Sequence, residues 1–104
     1  MVVSVLLGAV GCGVDIAYTQ TNAPPHPMAA RAPETVEIHR IAPNDRPFVD
    51  TGVLDETGYW GGGTENADRL LRQKAAEIGC DAVVIQGYVQ GGARYRAICL
   101  VFKN

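Results

Sequence analysis

The sequence predicts an α+β domain, an antiparallel four-stranded sheet with one helix packed on one face, in the order ββαββ. Three observations lead there. Between residues 64 and 78, Ala67, Leu70, Leu71, Ala75 and Ile78 recur at helical spacing, while Arg69, Arg72, Gln73 and Glu77 fall on the opposite side. Two β-rich stretches precede this segment and two follow it. Each pair is divided by a dense turn signal, Pro43, Asn44, Asp45, Arg46 and Pro47 in the first and Gln90, Gly91, Gly92 and Ala93 in the second.

The first strand is expected over residues 35–41, where Val36, Ile38 and Ile41 give partial alternation. The second spans 48–54, and the proline-flanked turn between them makes the pair a hairpin. The loop 55–63 carries Tyr59 and Trp60 before three glycines, and these two aromatics are a candidate interaction loop. The alternative is that Trp60 folds back to close the open side of a small core. Thr64 or Asn66 can cap the helix, Asp68 sets a negative charge near its positive end, and Gly79 stops it. Residues 81–89 and 94–102 then read as the third and fourth strands.

A chain of 104 residues makes one domain. Its net charge of −2 supplies no basic patch, so no nucleic-acid partner is expected. The first charged residue is Asp15, and residues 1–11 are apolar. That run is roughly half of the ~20 residues a bilayer-crossing helix needs, and fits the apolar region of a signal peptide. Residues 12–33 read as a tether because Pro24, Pro25, Pro27 and Pro33 remove donors and hold their neighbours extended. His26, between prolines, reads as a solvated linker residue. The folded domain is therefore expected over 34–104, able to fold without the tether.

Leu7, Gly8, Ala9, Val10, Gly11 and Cys12 resemble the lipobox of bacterial lipoproteins. The resemblance implies that residues 1–11 are removed, that the Cys12 thiol receives a diacylglyceryl group, and that the new N-terminus takes a further acyl chain such as palmitate. Several chains anchor stably where one is marginal. Ala9 stands where leucine is commoner, and no Lys or Arg precedes Val5. Gly13, rather than Asp, after the cysteine implies the periplasmic face of the outer membrane.

Lys74 to Ile85, followed by Arg96, Ala97, Ile98 and Cys99, resembles the C-terminal half of RcsF-type and YbjQ-like domains. The first implies an outer-membrane lipoprotein that reports envelope stress through protein partners. The second implies an oligomerising module that holds a metal or small ligand. The four-cysteine pattern of the RcsF type is absent here, with three cysteines in the chain.

No catalytic residues, cofactor site or metal site are expected. Nucleophilic catalysis needs a thiol or hydroxyl beside a positioned base, and the two histidines, His26 and His39, offer no such pair. Gly61, Gly62, Gly63 and Thr64 lack the ending of a phosphate loop. His39, Cys80 and Cys99 are three conceivable ligands without close metal spacing. With Cys12 lipidated, Cys80 and Cys99 form an even pair in an oxidising compartment. A turn near Gly91 and Gly92 sets Cys99 opposite about Val84 and Cys80 some four residues further on, beyond the ~4–7 Å Cα range of a disulfide. A corner between helix and strand shortens that distance. Two buried thiols and a disulfide both stay open, with the spacing favouring the thiols.

The chain thus reads as a lipid-anchored cell-envelope protein with a non-enzymatic interaction or sensor domain, contacting the membrane through Cys12 and an envelope protein through the domain.

Overall fold

The structure, a computed structural model, describes residues 15–58, 63–89, 91 and 94–103. Five strands occur among them: β1 (Asp15–Gln20), β2 (Glu37–His39), β3 (Phe48–Thr57), β4 (Ala82–Val89) and β5 (Arg94–Phe102). One α-helix, α1 (Gly63–Ile78), joins β3 to β4, and a 3-10 turn (Pro33–Thr35) precedes β2. The sheet order is β1-β3-β5-β4-β2. The α+β class with one helix holds, but the sheet is five-stranded and mixed rather than four-stranded and antiparallel. β2 pairs in parallel with β4, Ile38 facing Val83, at the edge far from β1. The expected hairpin between the first two strands therefore does not form. β2 is held to the start of β4 by Glu37 N–H on Asp81 O at 3.1 Å, and the chain after it returns across the sheet to begin β3.

The second correction concerns residues 12–33. Within them, Asp15–Gln20 is an edge strand antiparallel to β3. Its alternation turns Ile16 and Tyr18 toward the helix side while Asp15, Ala17 and Thr19 face solvent. Gly52 makes this pairing possible, since a Cβ there would lie 2.5 Å from Thr19 O and 2.6 Å from the Tyr18 ring. The Tyr18 hydroxyl donates to Thr51 O at 3.4 Å.

Residues 21–35 then wrap the far end of the sheet. Thr21 N–H donates to Thr51 O at 2.8 Å, and Met28 packs against the core. His26 is exposed, as expected, but lies on the domain, with Nε2 3.0 Å from Phe102 O. Arg31 N–H takes the Ala76 carbonyl at 3.0 Å, one of the acceptors a helix leaves unsatisfied at its C-terminus. The Arg31 guanidinium bonds Asp81, whose other oxygen accepts Phe102 N–H at 2.8 Å. The domain thus reaches back to Asp15. The prolines signal an extended path, and that path lies on the domain instead of leading away from it.

The helix ends as expected. Gly79 adopts φ 105°, and both Gly79 N–H and Cys80 N–H return to Ala75 O at 2.9 Å. This corner folds Cys80 back over β5, and Cys80 and Cys99 form a disulfide with their Cα atoms 5.6 Å apart. Cys99 faces Val83, one residue from the expected partner. The favoured two-thiol reading fails because Cys80 lies in the corner and does not continue the line of β4.

The core lies between α1 and one sheet face. Ala67, Leu71, Ala75 and Ala76 come from the helix, with Leu54, Val83, Ile85, Tyr95, Ala97 and Cys99 from the strands. Leu70 and Ile78 are half-buried, and Ala76 joins the buried face. Arg72, expected in water, is half-buried and donates Nε to Val36 O at 2.9 Å.

Two predictions follow from this packing. A chain starting at Glu34 loses β1 and the wrap, and with them the packing of Ile16, Tyr18 and Met28. These side chains are partly buried; full burial of one is worth about 1.5–3 kcal/mol, against a total of ~3–5 kcal/mol for so small a core. Circular dichroism should therefore show no cooperative thermal transition for residues 34–104, and a full transition for 15–104. In the second, Leu71→Asp should abolish folding in urea titrations, because it places an unpaired carboxylate in the core. Glu77→Gln, at an exposed position, should shift stability by no more than about 0.5 kcal/mol.

Candidate functional site

Cys12, the expected lipid attachment, and Tyr59 and Trp60, the expected interaction loop, lie outside the described residues. The loop joins the last residues of β3 to the first of α1. The described residues at that end of the sheet form a polar and aromatic cluster built from four elements.

Across the strands the last rows run Asp15–Thr57 and Val89–Arg94, then Ile16–Glu56–Tyr95–Tyr88. Tyr95 is almost fully buried under the helix, and its hydroxyl donates to Asp68 Oδ1 at 2.6 Å. Arg40, just past β2, reaches the same point, with its guanidinium 2.5 Å from Asp68 Oδ2 and 3.4 Å from the Tyr95 hydroxyl. Burial raises the Tyr95 pKa above its ordinary 10, and the bond to Asp68 adds to this while Arg40 opposes it. Glu56, fully buried, lies in register with Tyr95. A bulge in β4 completes the cluster. Gly87 takes φ 92° and the register slips between Ile85 and Gly87. The slip turns Tyr88 to the helix side, where its ring centroid lies 4.8 Å from that of Tyr95. Tyr88 stays 48% exposed, making it one of the large apolar-bodied side chains offered to solvent.

The helix-free face of the sheet is the second candidate surface. Val84, Ile98 and Phe48 are half-buried around Ala82, Leu100 and Phe102. Toward the Tyr88 end this face carries Asp55, which accepts two bonds from Arg96 at 2.7 and 3.3 Å and has Arg94 3.6 Å away. Toward the other end Arg46 lies 3.8 Å over the Phe102 ring and 2.6 Å from Glu37, which also pairs with His39 at 2.8 Å. The bond from Arg46, followed by that from His39, holds the Glu37 carboxyl below its ordinary range.

These pairs bear on chemistry. His39 is engaged by Glu37, and Cys80 and Cys99 by each other, so the three ligands considered from sequence do not come together. Among the described residues no group of three or more His, Cys, Asp or Glu side chains is arranged to hold a metal ion. Among the same residues no helix is long and apolar enough to cross a membrane. The bulge that presents Tyr88 lies outside the sequence expectations, although Gly87 inside a β-rich run is its usual signal.

No family model matches the chain, and no curated protein matches it. Among solved structures, the crystal structure of a Francisella virulence factor, FvfA, is similar, with a TM-score of 0.50 and 12% identity. The likeness covers 88% of this chain and 99% of that one. At that identity it speaks to fold alone. Its span exceeds what residues 34–104 alone could supply, in keeping with a domain that includes β1 or the wrap.

The buried phenol gives a pH prediction. Below the ordinary value of 10, Tyr95 keeps its proton in both the folded and unfolded states, and its contribution to stability is fully present. Above it the unfolded chain releases a proton that the folded state retains, so stability falls as pH rises toward and through the raised folded value. Ultraviolet titration should show one phenol ionising after the others, together with unfolding. Tyr95→Phe should lack that late step and, by losing a bond to a charged acceptor, cost about 1.5–3 kcal/mol at neutral pH.

Proposed function

We propose that the chain is a lipid-anchored protein of the cell envelope, held through Cys12 at the periplasmic face of the outer membrane, with a non-enzymatic domain that acts by binding another envelope protein. The observation that carries this reading is the Cys80–Cys99 disulfide. Disulfides persist in exported proteins and are rare in the reducing cytosol. The pairing uses two of the three cysteines and leaves Cys12, the one that follows the apolar run. The resemblance to RcsF-type domains favours a sensor among the binding roles. The charged groups favour binding over catalysis. Asp55, Asp68, Asp81 and Glu37 are each bridged to arginine and tie strands, helix and wrap together. The helix-free face, apolar at its centre and charged toward both ends, has the make-up of a contact surface.

Cys12→Ala tests the reading. The wild-type protein should take up radiolabelled fatty acid and sediment with membranes, and the variant should do neither. Equal membrane recovery of both, with no label on either, would overturn it.

A further inference from the structure

We infer that the domain sits flush on the lipid surface that holds its anchor, with the Asp15 end of the sheet against the headgroups. The inference rests on the proposed lipidation of Cys12 and adds an orientation to it. Cys12 precedes Asp15 by three residues, and a fully extended chain spans at most ~3.6 Å per residue, so their Cα atoms lie within about 11 Å of each other. Asp15 is already in the sheet, paired with Thr57, and the whole of β1 is laddered to β3. The residues that the sequence offers as a spacer are therefore used in the fold. β3, with ten residues, is itself ~30 Å long at a rise of about 3.3 Å per residue. An attachment of about 11 Å is too short to swing the far end of such a sheet toward the membrane.

Among the described residues, the end brought down carries Asp15, Thr57, the exposed first turn of α1 at Gly63, Thr64 and Glu65, and the Tyr88–Val89 end of β4. Its occupant is a glycerophospholipid surface. Tyr88, half-exposed and braced on Tyr95, is the kind of amphipathic ring that settles at headgroup level. The charges there are mixed. Asp15 and Glu65 are acidic, Arg94 faces Asp55, and Arg40 is held by Asp68. Among the described residues no basic cluster selects anionic lipid, so the acyl chains hold the protein and the short attachment sets its orientation. The opposite end, with Phe48, Phe102 and the wrap, points away from the bilayer.

The test uses the full-length acylated protein in phosphatidylcholine vesicles containing a lipid with a nitroxide on its headgroup. A fluorophore is placed through Thr64→Cys in one sample and Asp45→Cys in another, both exposed positions at opposite ends. Thr64 should be quenched several-fold more than Asp45. Inserting a Gly/Ser linker of about 30 residues before Asp15, with a mean reach of roughly 30 Å, should bring the two values together. Equal quenching in acylated protein without the linker would overturn the inference and leave the lipoprotein reading intact. A contrast that survives the linker would overturn the short attachment as its cause. Absence of fatty acid on Cys12 would overturn both.

Discussion

The packing of an alanine-lined helix on the sheet is the constraint on which the rest of the structure depends. α1 buries three alanines, Ala67, Ala75 and Ala76, and a single large residue, Leu71. Opposite them lie Leu54, Val83, Ile85, Tyr95, Ala97 and Cys99. The helix side of this interface removes little apolar area from water, and apolar stabilisation scales with that area. The deficit is met where the helix turns into β4. The disulfide there closes a separation of 19 residues, and loop closure of that size stabilises by about 3 kcal/mol in the chain-entropy picture. It also pins the C-terminal end of the helix, where Ala75, Ala76 and half-buried Ile78 meet the core.

The other end of the interface is held differently, by hydrogen bonds to charge. Asp68 receives both the Tyr95 hydroxyl and the Arg40 guanidinium, which joins the helix to β5 and to the chain after β2. The wrap closes the remaining side. Arg31 connects the last turn of the helix, through Ala76 O, to the first residues of β4, through Asp81. Gly79 accommodates this passage, since a Cβ would lie 2.7 Å from Ala29 N and its φ of 105° is one that other residues rarely adopt. Each connection crosses between elements distant in sequence, which is how a core whose helix side is mostly alanine still selects one arrangement.

This distribution explains what could be read from sequence and what could not. The helix, its glycine stop and the two strands after it were legible because apolar periodicity and local turn chemistry specify them. β4 and β5 lie within a residue of their expected limits. β1 carried its own alternation in Ile16 and Tyr18, but four prolines downstream outweighed six residues of weak pattern. Its pairing depends on Gly52 being bare, a relation 33 residues away that no window contains. The turn signal from Pro43 to Pro47 points to a hairpin for β2, whereas its partner is β4, with Glu37 N–H on Asp81 O at the corner. The disulfide is hidden from a strand-register argument for a similar reason, since its geometry depends on a left-handed glycine turning Cys80 off the line of the strand. Of the expected site residues, Cys12, Tyr59 and Trp60 fall outside the described residues, and the Tyr88–Tyr95 pair became visible only through a bulge.

The folding of the expected tether also changes the function the domain could perform. A domain on a long leash searches a volume, and its partner can lie anywhere within reach. Under the proposed anchoring this domain has no leash, so its strands stand on the lipid surface and its helix-free face is presented sideways. Arg94, Arg96 and Asp55 then lie nearest the membrane, Val84 and Ile98 at mid-height, and Arg46 above Phe102 at the top. A partner of that face must itself stand at the membrane or reach down to it. The encounter becomes two-dimensional, which raises effective concentration without any added contact. A sensor built this way reports on what lies beside it in the membrane plane, and its reach is limited by the height of its own sheet.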